Sequence, residues 1–170
     1  YNIEDGSVTN LTEGHMGYDN SPAFSKQGAM AWLSMKREGY EADKNDILVS
    51  HDGVEVNLTK GWDGTVSGFA WADNGKEIYF TAPVGGTKQL FKVDYPGKTR
   101  KQPVVKEITA GQFDVTGIVG QSGDLMVVTR TDLNHATEVY TVDLNSGQMH
   151  QPTHVNDEIY TNISLSEVEK

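Results

Sequence analysis

The segment SPAFSKQGAMAWLSM, residues 21–35, decides the fold of this chain. It begins with a short apolar run, continues through the polar turn SKQG, and ends with a second apolar run. Two short apolar runs on either side of a glycine-containing turn are typical of a β-hairpin. Residues 21–35 therefore predict two antiparallel strands with Gly28 in the turn between them.

Two later segments repeat this plan. FAWADNGKEIYFTA covers residues 69–82, and GIVGQSGDLMVVTR covers residues 117–130. The turn glycines Gly28, Gly75 and Gly123 are 47 and 48 residues apart. A four-stranded propeller blade usually takes about 40 to 45 residues. The period is slightly longer than that, and it predicts a repeated blade architecture.

A second pair of strands follows each copy. In the first unit the turn His51, Asp52 and Gly53 separates them, and residues of this kind tolerate the positive φ that tight hairpin turns require. Four antiparallel strands per unit make a propeller blade. The predicted outer strands cover residues 47–50, 54–59, 90–94, 104–109 and 139–143, with a weaker strand near Met149.

The sequence thus predicts an all-β fold: a β-propeller fragment of four-stranded antiparallel blades, WD40-like or TolB-like. About three blades are complete, and partial blades stand at the ends. Because there is no starting Met, we expect an excised piece of a longer chain. The predicted division is residues 1–14 as the outer half of a blade, 15–61, 62–111 and 112–156 as blades, and 157–170 as an exit strand or linker.

Composition excludes several classes of function. The chain has 24 Asp and Glu against 14 Lys and Arg, a formal net charge of -10, which argues against nucleic acid as a partner. No apolar run approaches the roughly 18 residues needed to span a membrane. Without cysteine there is no disulfide and no thiolate metal site. The composition does not decide between a periplasmic location in a Gram-negative bacterium and a cytoplasmic one.

No catalytic or metal motif is found. The nearest approach to the Gly-x-Ser-x-Gly elbow of serine hydrolases surrounds Ser122, where the second glycine comes one position too early and the repeat demands a hairpin turn. His150 and His154 have helical ligand spacing, but Pro152 between them and the strand context remove the helix. We therefore predict no catalytic residue, no metal site and no cofactor in this chain.

Strand order predicts where a functional surface lies. In a four-stranded antiparallel blade, the connections between blades and those between the second and third strands emerge on one face. These connections are the more irregular set, and loops of that kind often carry function. Trp62, in GWDGT, falls on this face and is a candidate to line a ligand surface. The predicted connections are residues 13–20, 36–45, 61–65, 83–88, 111–114 and 131–137.

Several of these stretches resemble one known family. SPAFS, AWLSM, KREGYEADKNDILV and the tail NDEIYTNISLSEVEK are similar to the propeller of prolyl oligopeptidase family serine peptidases, particularly the bacterial dipeptidyl-peptidase and acylaminoacyl-peptidase type. The resemblance covers the whole chain. It implies an intramolecular α/β-hydrolase domain after residues 157–170, which would carry a Ser-Asp-His triad, while the propeller restricts access to short peptides.

The same resemblance suggests substrate-binding residues. In relatives of the dipeptidyl-peptidase IV type, propeller glutamates hold the free amino terminus of the peptide, a charge-assisted contact. Glu38 and Glu41, in the polar loop at residues 36–45, are the candidates here. Their motif does not match that of the family residue by residue.

Two alternatives come from other classes of protein. A stand-alone WD40-like or TolB-like scaffold for protein partners fits the blade repeats equally well, because fold does not fix function. A glycosidase-type propeller needs paired carboxylates near its axis, and the inner-strand sequences PAFS, FAWA and GIVG contain none. We also expect the fragment to form an open arc or to self-associate, for example through pairing of residues 158–164 with a hairpin at residues 1–11.

Overall fold

Three four-stranded sheets make up the computed structural model, which describes residues 1–99 and 101–168. All strand pairs are antiparallel, and each sheet keeps its strands in chain order, which confirms the predicted all-β blade fold. The first sheet contains β1 (Asp19–Phe24), β2 (Met30–Ser34), β3 (Asp46–His51) and β4 (Val54–Asn57). The second contains β5 (Gly68–Trp71), β6 (Glu77–Val84), β7 (Thr87–Asp94) and β8 (Val105–Glu107). The third contains β9 (Asp114–Ser122), β10 (Leu125–Thr131), β11 (Glu138–Asp143) and β12 (Met149–His150).

The predicted hairpin turns are present in all three sheets. Gly28, Gly75 and Gly123 have φ values of 83°, 65° and 57°, in the left-handed region that favours glycine. Each lies between the first and second strands of its sheet, as the repeat predicted. The three-fold repeat in the sequence is therefore a repeat of hairpins that share a positive-φ glycine. The turns differ in length, because the last pairs before them are Phe24 with Met30, Trp71 with Ile78, and Ser122 with Leu125.

The three sheets converge at their first strands. β1 lies beside β5, and β9 lies beside β5, β6 and β7. The fourth strand of each sheet is on the opposite side, because every sheet keeps its strands in chain order. In a propeller the convergent side faces the central axis, so β1, β5 and β9 are the axis-side strands.

The core fills the two spaces between neighbouring sheets. Adjacent residues on β6 show the division: the side chain of Phe80 belongs to the cluster shared with the first sheet, and that of Tyr79 to the cluster shared with the third. Successive side chains on a strand point to opposite faces. The middle sheet is therefore packed on both of its faces, as a blade inside a propeller must be.

Contacts between blades recur at the repeat distance. Lys26 Nζ lies 3.2 Å from Asp73 Oδ1, 47 residues along the chain. The backbone N–H of Asp73 donates to Gln121 Oε1 at 3.0 Å, 48 residues further. Trp71 Nε1 donates to the carbonyl of Ala23, again across 48 residues. Equivalent positions thus meet when one blade stacks on the next.

The two ends differ from their predicted structure. Residues 1–18 form turns and no strand, and residues 1–11 are exposed, so no outer strand pair is formed there. An isolated two-stranded hairpin is marginal in water without a sheet to pack on. Residues Asp157–Tyr160 form a one-turn helix, α1, where a strand was expected, and residues 158–164 do not pair with residues 1–11. The assignment of residues 1–14 to half a blade, the linker role of residues 157–170 and self-association stay predictions. Residues 169 and 170 lie outside the described part.

One predicted loop was wrong. β6 and β7 continue to Val84 and Thr87, which pair with each other across a two-residue turn of Gly85 and Gly86. Both glycines have positive φ, as tight hairpins of this kind require. The irregular connection expected at residues 83–88 is thus a tight hairpin.

In the described residues no helix is long and apolar enough to cross a membrane.

Candidate functional site

The connections predicted to share one face form the candidate site, here called the loop face. It comprises the β2–β3, β6–β7 and β10–β11 connections together with the β4–β5 and β8–β9 connections between sheets. Direct contacts join them: Asn45 N donates to Thr65 Oγ1 at 3.0 Å, and Lys88 N donates to Asp114 Oδ1 at 2.7 Å. The connections at each blade interface are therefore joined by direct hydrogen bonds.

Lys44 fixes the long β2–β3 connection to the neighbouring one. Its Nζ donates to the carbonyl oxygens of Thr59 at 2.8 Å and Trp62 at 2.6 Å. It also lies 2.8 Å from Asp46 Oδ1. Carbonyl groups that are removed from water need a hydrogen-bond donor. The Lys44 ammonium donates to both carbonyl groups, and it thereby holds the two connections together.

The same loop carries an internal ion pair. Arg37 Nη2 lies 2.9 Å from Asp43 Oδ1, and the Arg37 guanidinium stacks 4.0 Å from the ring centroid of Tyr40. Hydrogen bonds from Arg37, with its positive charge, lower the pKa of Asp43 to about 2. Asp43 is therefore ionised at any pH near neutrality, and the pair gives the polar loop a defined shape.

Trp62 is placed by packing. Its ring is partly buried, with centroids 5.3 Å from that of Phe80 and 5.4 Å from that of Phe91. A Cβ on Gly64 would lie 2.4 Å from the Trp62 ring, so this glycine allows the loop to pass over it. Trp62 thus covers the core between the first and second blades. Its predicted role in lining a ligand surface stays a prediction.

Glu38 and Glu41 are both exposed near the tip of the β2–β3 connection. Neither carboxylate makes a hydrogen bond or ion pair with another residue in the described ranges. Their loop is joined to the Trp62 connection through Lys44. None of the cavities described here is lined by Glu38, Glu41 or Trp62. Their substrate-binding roles stay predictions.

A cavity of about 460 Å³ opens between the second and third blades. The β6–β7 turn, the β8–β9 connection and the β10–β11 connection contribute its walls. Phe113 and Leu133 supply apolar surface, and Asp114 and Asp132 supply carboxylates. Its size falls in the range of small-molecule sites, and it lies on the face that strand order predicted to be functional.

A second cavity of about 380 Å³ lies on the other side of the β10–β11 connection. Arg130 lines it, and the guanidinium carbon is 4.0 Å from the ring centroid of Phe113 and 4.6 Å from that of Tyr140. Cation–π contacts on both sides hold the side chain in one orientation. Alternation along β10 places Arg130 on the same strand face as the buried residues Met126 and Val128. Nothing in the sequence indicates that aromatic rings enclose it.

The carboxylates of this second cavity have structural partners. Partial burial acts to raise the pKa of Asp132. Backbone hydrogen bonds from Asn134 and His135 and contact with the His135 ring outweigh this effect, so the pKa is lowered. Hydrogen bonds from the Thr153 hydroxyl and from Asn156 lower the pKa of Glu138. Glu138 thereby ties the segment after β12 to the third blade.

A metal site is not formed by the residues described. No three His, Asp or Glu side chains in residues 1–99 and 101–168 are grouped as a metal ion would require. His154 pairs with Asp157, with 3.0 Å between Nδ1 and Oδ2. His150 is exposed on β12 and takes no part in that pair.

Comparison with known proteins gives relatives along the whole chain. Dipeptidyl-peptidase 5 of Porphyromonas gingivalis is 31% identical over 173 residues, covering 100% of this chain and 24% of the relative. Dipeptidyl-peptidase 5 of Porphyromonas endodontalis is 35% identical over 150 residues, covering 86% of this chain and 21% of the relative. The chain therefore spans about a quarter of the length of these relatives. No protein-family profile matches it.

Solved structures share the fold. An acylaminoacyl peptidase of Pyrococcus horikoshii superposes with a TM-score of 0.71 and 21% identity, over 94% of this chain and 23% of that one. The β-propeller domain of the Trilobed protease from Pyrococcus furiosus gives a TM-score of 0.68 and 19% identity, over 94% of this chain and 44% of that one. At these identities the likeness shows the β-propeller architecture.

Proposed function

Since the chain is a β-propeller segment of the prolyl oligopeptidase family of peptidases, we propose that it controls the access of short peptides to a hydrolase domain in the same polypeptide. The segment itself is non-catalytic in this proposal. Its blades form part of the wall around an axial passage, and the loop face provides the surface that peptides meet.

One observation carries the proposal: the similarity to dipeptidyl-peptidase 5 extends over the full chain while covering only 24% of the relative. The remaining length of such a relative leaves room for a hydrolase domain. The rigid stacking of the blades supports a gating role, because a wall restricts access only if its blades do not separate. Repeated hydrogen bonds such as Trp71 to Ala23 supply that rigidity.

The proposal assigns substrate contacts to the loop face. Glu38 and Glu41 present exposed carboxylates, which suit the positively charged amino terminus of a peptide. Trp62 supports their loop from below through the carbonyl that binds Lys44. In this arrangement Glu38 and Glu41 bind the amino terminus of the peptide, and Trp62 positions the loop that carries them.

The test uses the full-length protein that contains this chain. Hydrolysis of short peptide reporters with a free amino terminus is measured for the wild type, for Glu38→Gln with Glu41→Gln, and for the matched control Glu107→Gln. Glu107 is an exposed carboxylate on the outer strand β8. We expect KM to rise about tenfold in the double variant, as loss of a charge-assisted hydrogen bond predicts, and to stay unchanged in the control.

Two results would contradict the proposal. If the full-length protein cleaves none of a varied set of short peptides, a stand-alone scaffold becomes the better interpretation. If it cleaves long unfolded chains as readily as short peptides, the propeller does not restrict access. Equal KM values for the double variant and the control would remove only the assignment of Glu38 and Glu41.

A further inference from the structure

We propose that a pocket at the axis side, between the second and third blades, binds a carboxylate group of a short peptide, and that Lys88 is its cationic partner. The inference rests on the proposed function, since it specifies what the passage recognises. Neither the motifs nor the repeat in the sequence pointed to Lys88.

The pocket has a volume of about 230 Å³. Its walls come from β5, β6, β7 and β9 and from Ser67, which precedes β5. β5 and β9 are axis-side strands, so the pocket opens where the sheets converge. A peptide moving along the axis would therefore pass it.

Strand alternation directs Lys88 into this space. Leu90, two residues further along β7, packs in the core shared with the third blade, so Lys88 lies on the same face of the strand. Its backbone N–H donates to Asp114 Oδ1 at 2.7 Å, which fixes the backbone beside β9. Among the described residues that line the pocket, Lys88 is the one with a charged side chain. Within the described ranges, its ammonium makes no hydrogen bond or ion pair.

Three residues that line the same pocket carry hydroxyl groups: Ser67, Thr81 and Thr116. Thr81 is only 4% exposed, and the Ser67 backbone N–H donates to its carbonyl at 2.8 Å, so the two residues are adjacent. Neither side-chain hydroxyl makes a hydrogen bond to another described residue. By contrast, the hydroxyl of Thr116 donates to Thr129 Oγ1 at 2.8 Å. A hydroxyl can donate one hydrogen bond, so Ser67 and Thr81 can each donate to an acceptor of a ligand.

The rest of the lining suits a peptide. A Cβ on Gly68 would meet no atom within 4 Å, so the backbone there is open to a ligand. Ile118, which packs against the core shared by the second and third blades, adds apolar surface. One ammonium, hydroxyl donors and an apolar wall together match a carboxylate attached to a hydrocarbon group. That carboxylate comes either from the carboxyl terminus of the peptide or from an acidic side chain.

The test compares peptide forms on the 170-residue chain and on the full-length protein. NMR titration measures the binding of three forms of a tetrapeptide with uncharged side chains. The first has a free carboxyl terminus, the second has a terminal amide, and the third is a terminal amide in which one residue is Glu. We expect the amide to bind roughly tenfold more weakly than the free acid. Recovery of affinity by the Glu-containing amide would identify a side chain as the source of the carboxylate.

Substitutions connect the preference to one residue. Lys88→Gln should abolish the difference between acid and amide, and Lys88→Arg should keep it. Lys76→Gln removes the same charge from an exposed turn on the opposite face and should change nothing.

Equal binding of acid and amide by the wild type, or equal effects of Lys88→Gln and Lys76→Gln, would overturn the inference. Peptide hydrolysis by the full-length protein would then leave the proposed function intact. Failure of both binding and hydrolysis would overturn the two together.

Discussion

The first and second blades have similar strands but different surroundings. Phe80, on β6 of the second blade, is fully buried between two sheets. Trp32, at the corresponding place on β2, is also buried, but in a cluster of only three residues with Met30 and Leu48. Among the described residues no sheet covers that side; the His15 ring lies 6.0 Å from the Trp32 ring, and Asp19 Oδ1 accepts from Trp32 Nε1 at 3.1 Å. The same blade design is therefore stabilised by packing in one place and by polar contacts in the other.

The largest expected effect lies in the middle blade. Phe80→Ala should lower the free energy of unfolding by about 3 to 5 kcal/mol, because a buried ring is replaced by a cavity between two sheets. Urea denaturation measures the change. Phe24→Ala is the control: this ring is 67% exposed, and its removal should cost less than about 0.5 kcal/mol. Similar losses for the two variants would show that the blades do not pack as described.

A smaller, pH-dependent effect should mark the first blade. Burial acts to raise the pKa of Asp19, but hydrogen bonds from Ser34, Thr12 and His15 outweigh it, so the folded pKa is lowered. The stabilisation from ionised Asp19 is then present above its unfolded pKa of about 3.9 and is lost as pH falls through the lower folded value.

Asp19→Asn should therefore cost about 1 kcal/mol at pH 7 and almost nothing at low pH. Urea denaturation across that pH range checks this. A loss that is independent of pH would mean that the charge of Asp19 contributes nothing. Asp63→Asn, in the β4–β5 connection, serves as a control carboxylate.

The smallest effect is expected where blades meet in solvent. Lys26 and Asp73 are ion-paired across the first interface, with side chains 71% and 54% exposed. Lys26→Ala should change the free energy of unfolding by less than about 0.5 kcal/mol, because exposed pairs are screened by water and salt. The change should disappear at high salt. A loss of several kcal/mol would show that the polar edge, and not the apolar core, holds the blades together.

The sequence predicted what depends on local chemistry. Turn glycines and alternating apolar residues are properties of short segments, so the hairpins around Gly28, Gly75 and Gly123 and their grouping into blades were predicted correctly. The β6–β7 turn was missed because the stretch around Pro83 was interpreted as a loop, whereas Pro83 pairs with Lys88 in the hairpin.

The candidate site depends on how blades stack, and that part could not be predicted. Lys44 reaches Trp62 only because two connections meet in space. Lys88 faces a pocket only because β9 lies beside β7. The residues involved are ordinary surface types in the sequence, and nothing in their spacing indicates a shared site.

The blade-to-blade contacts described above have a consequence for how such a gene can change. The contacting residues each lie two positions before the turn glycine of their unit, and each interface joins unlike residues: Lys26 with Asp73, and Asp73 with Gln121. A tandem duplication of the middle unit would set one Asp73 against another, and two like charges would then repel. Such a duplication would replace a favourable contact with an unfavourable one at this position, so the repeats are not interchangeable copies.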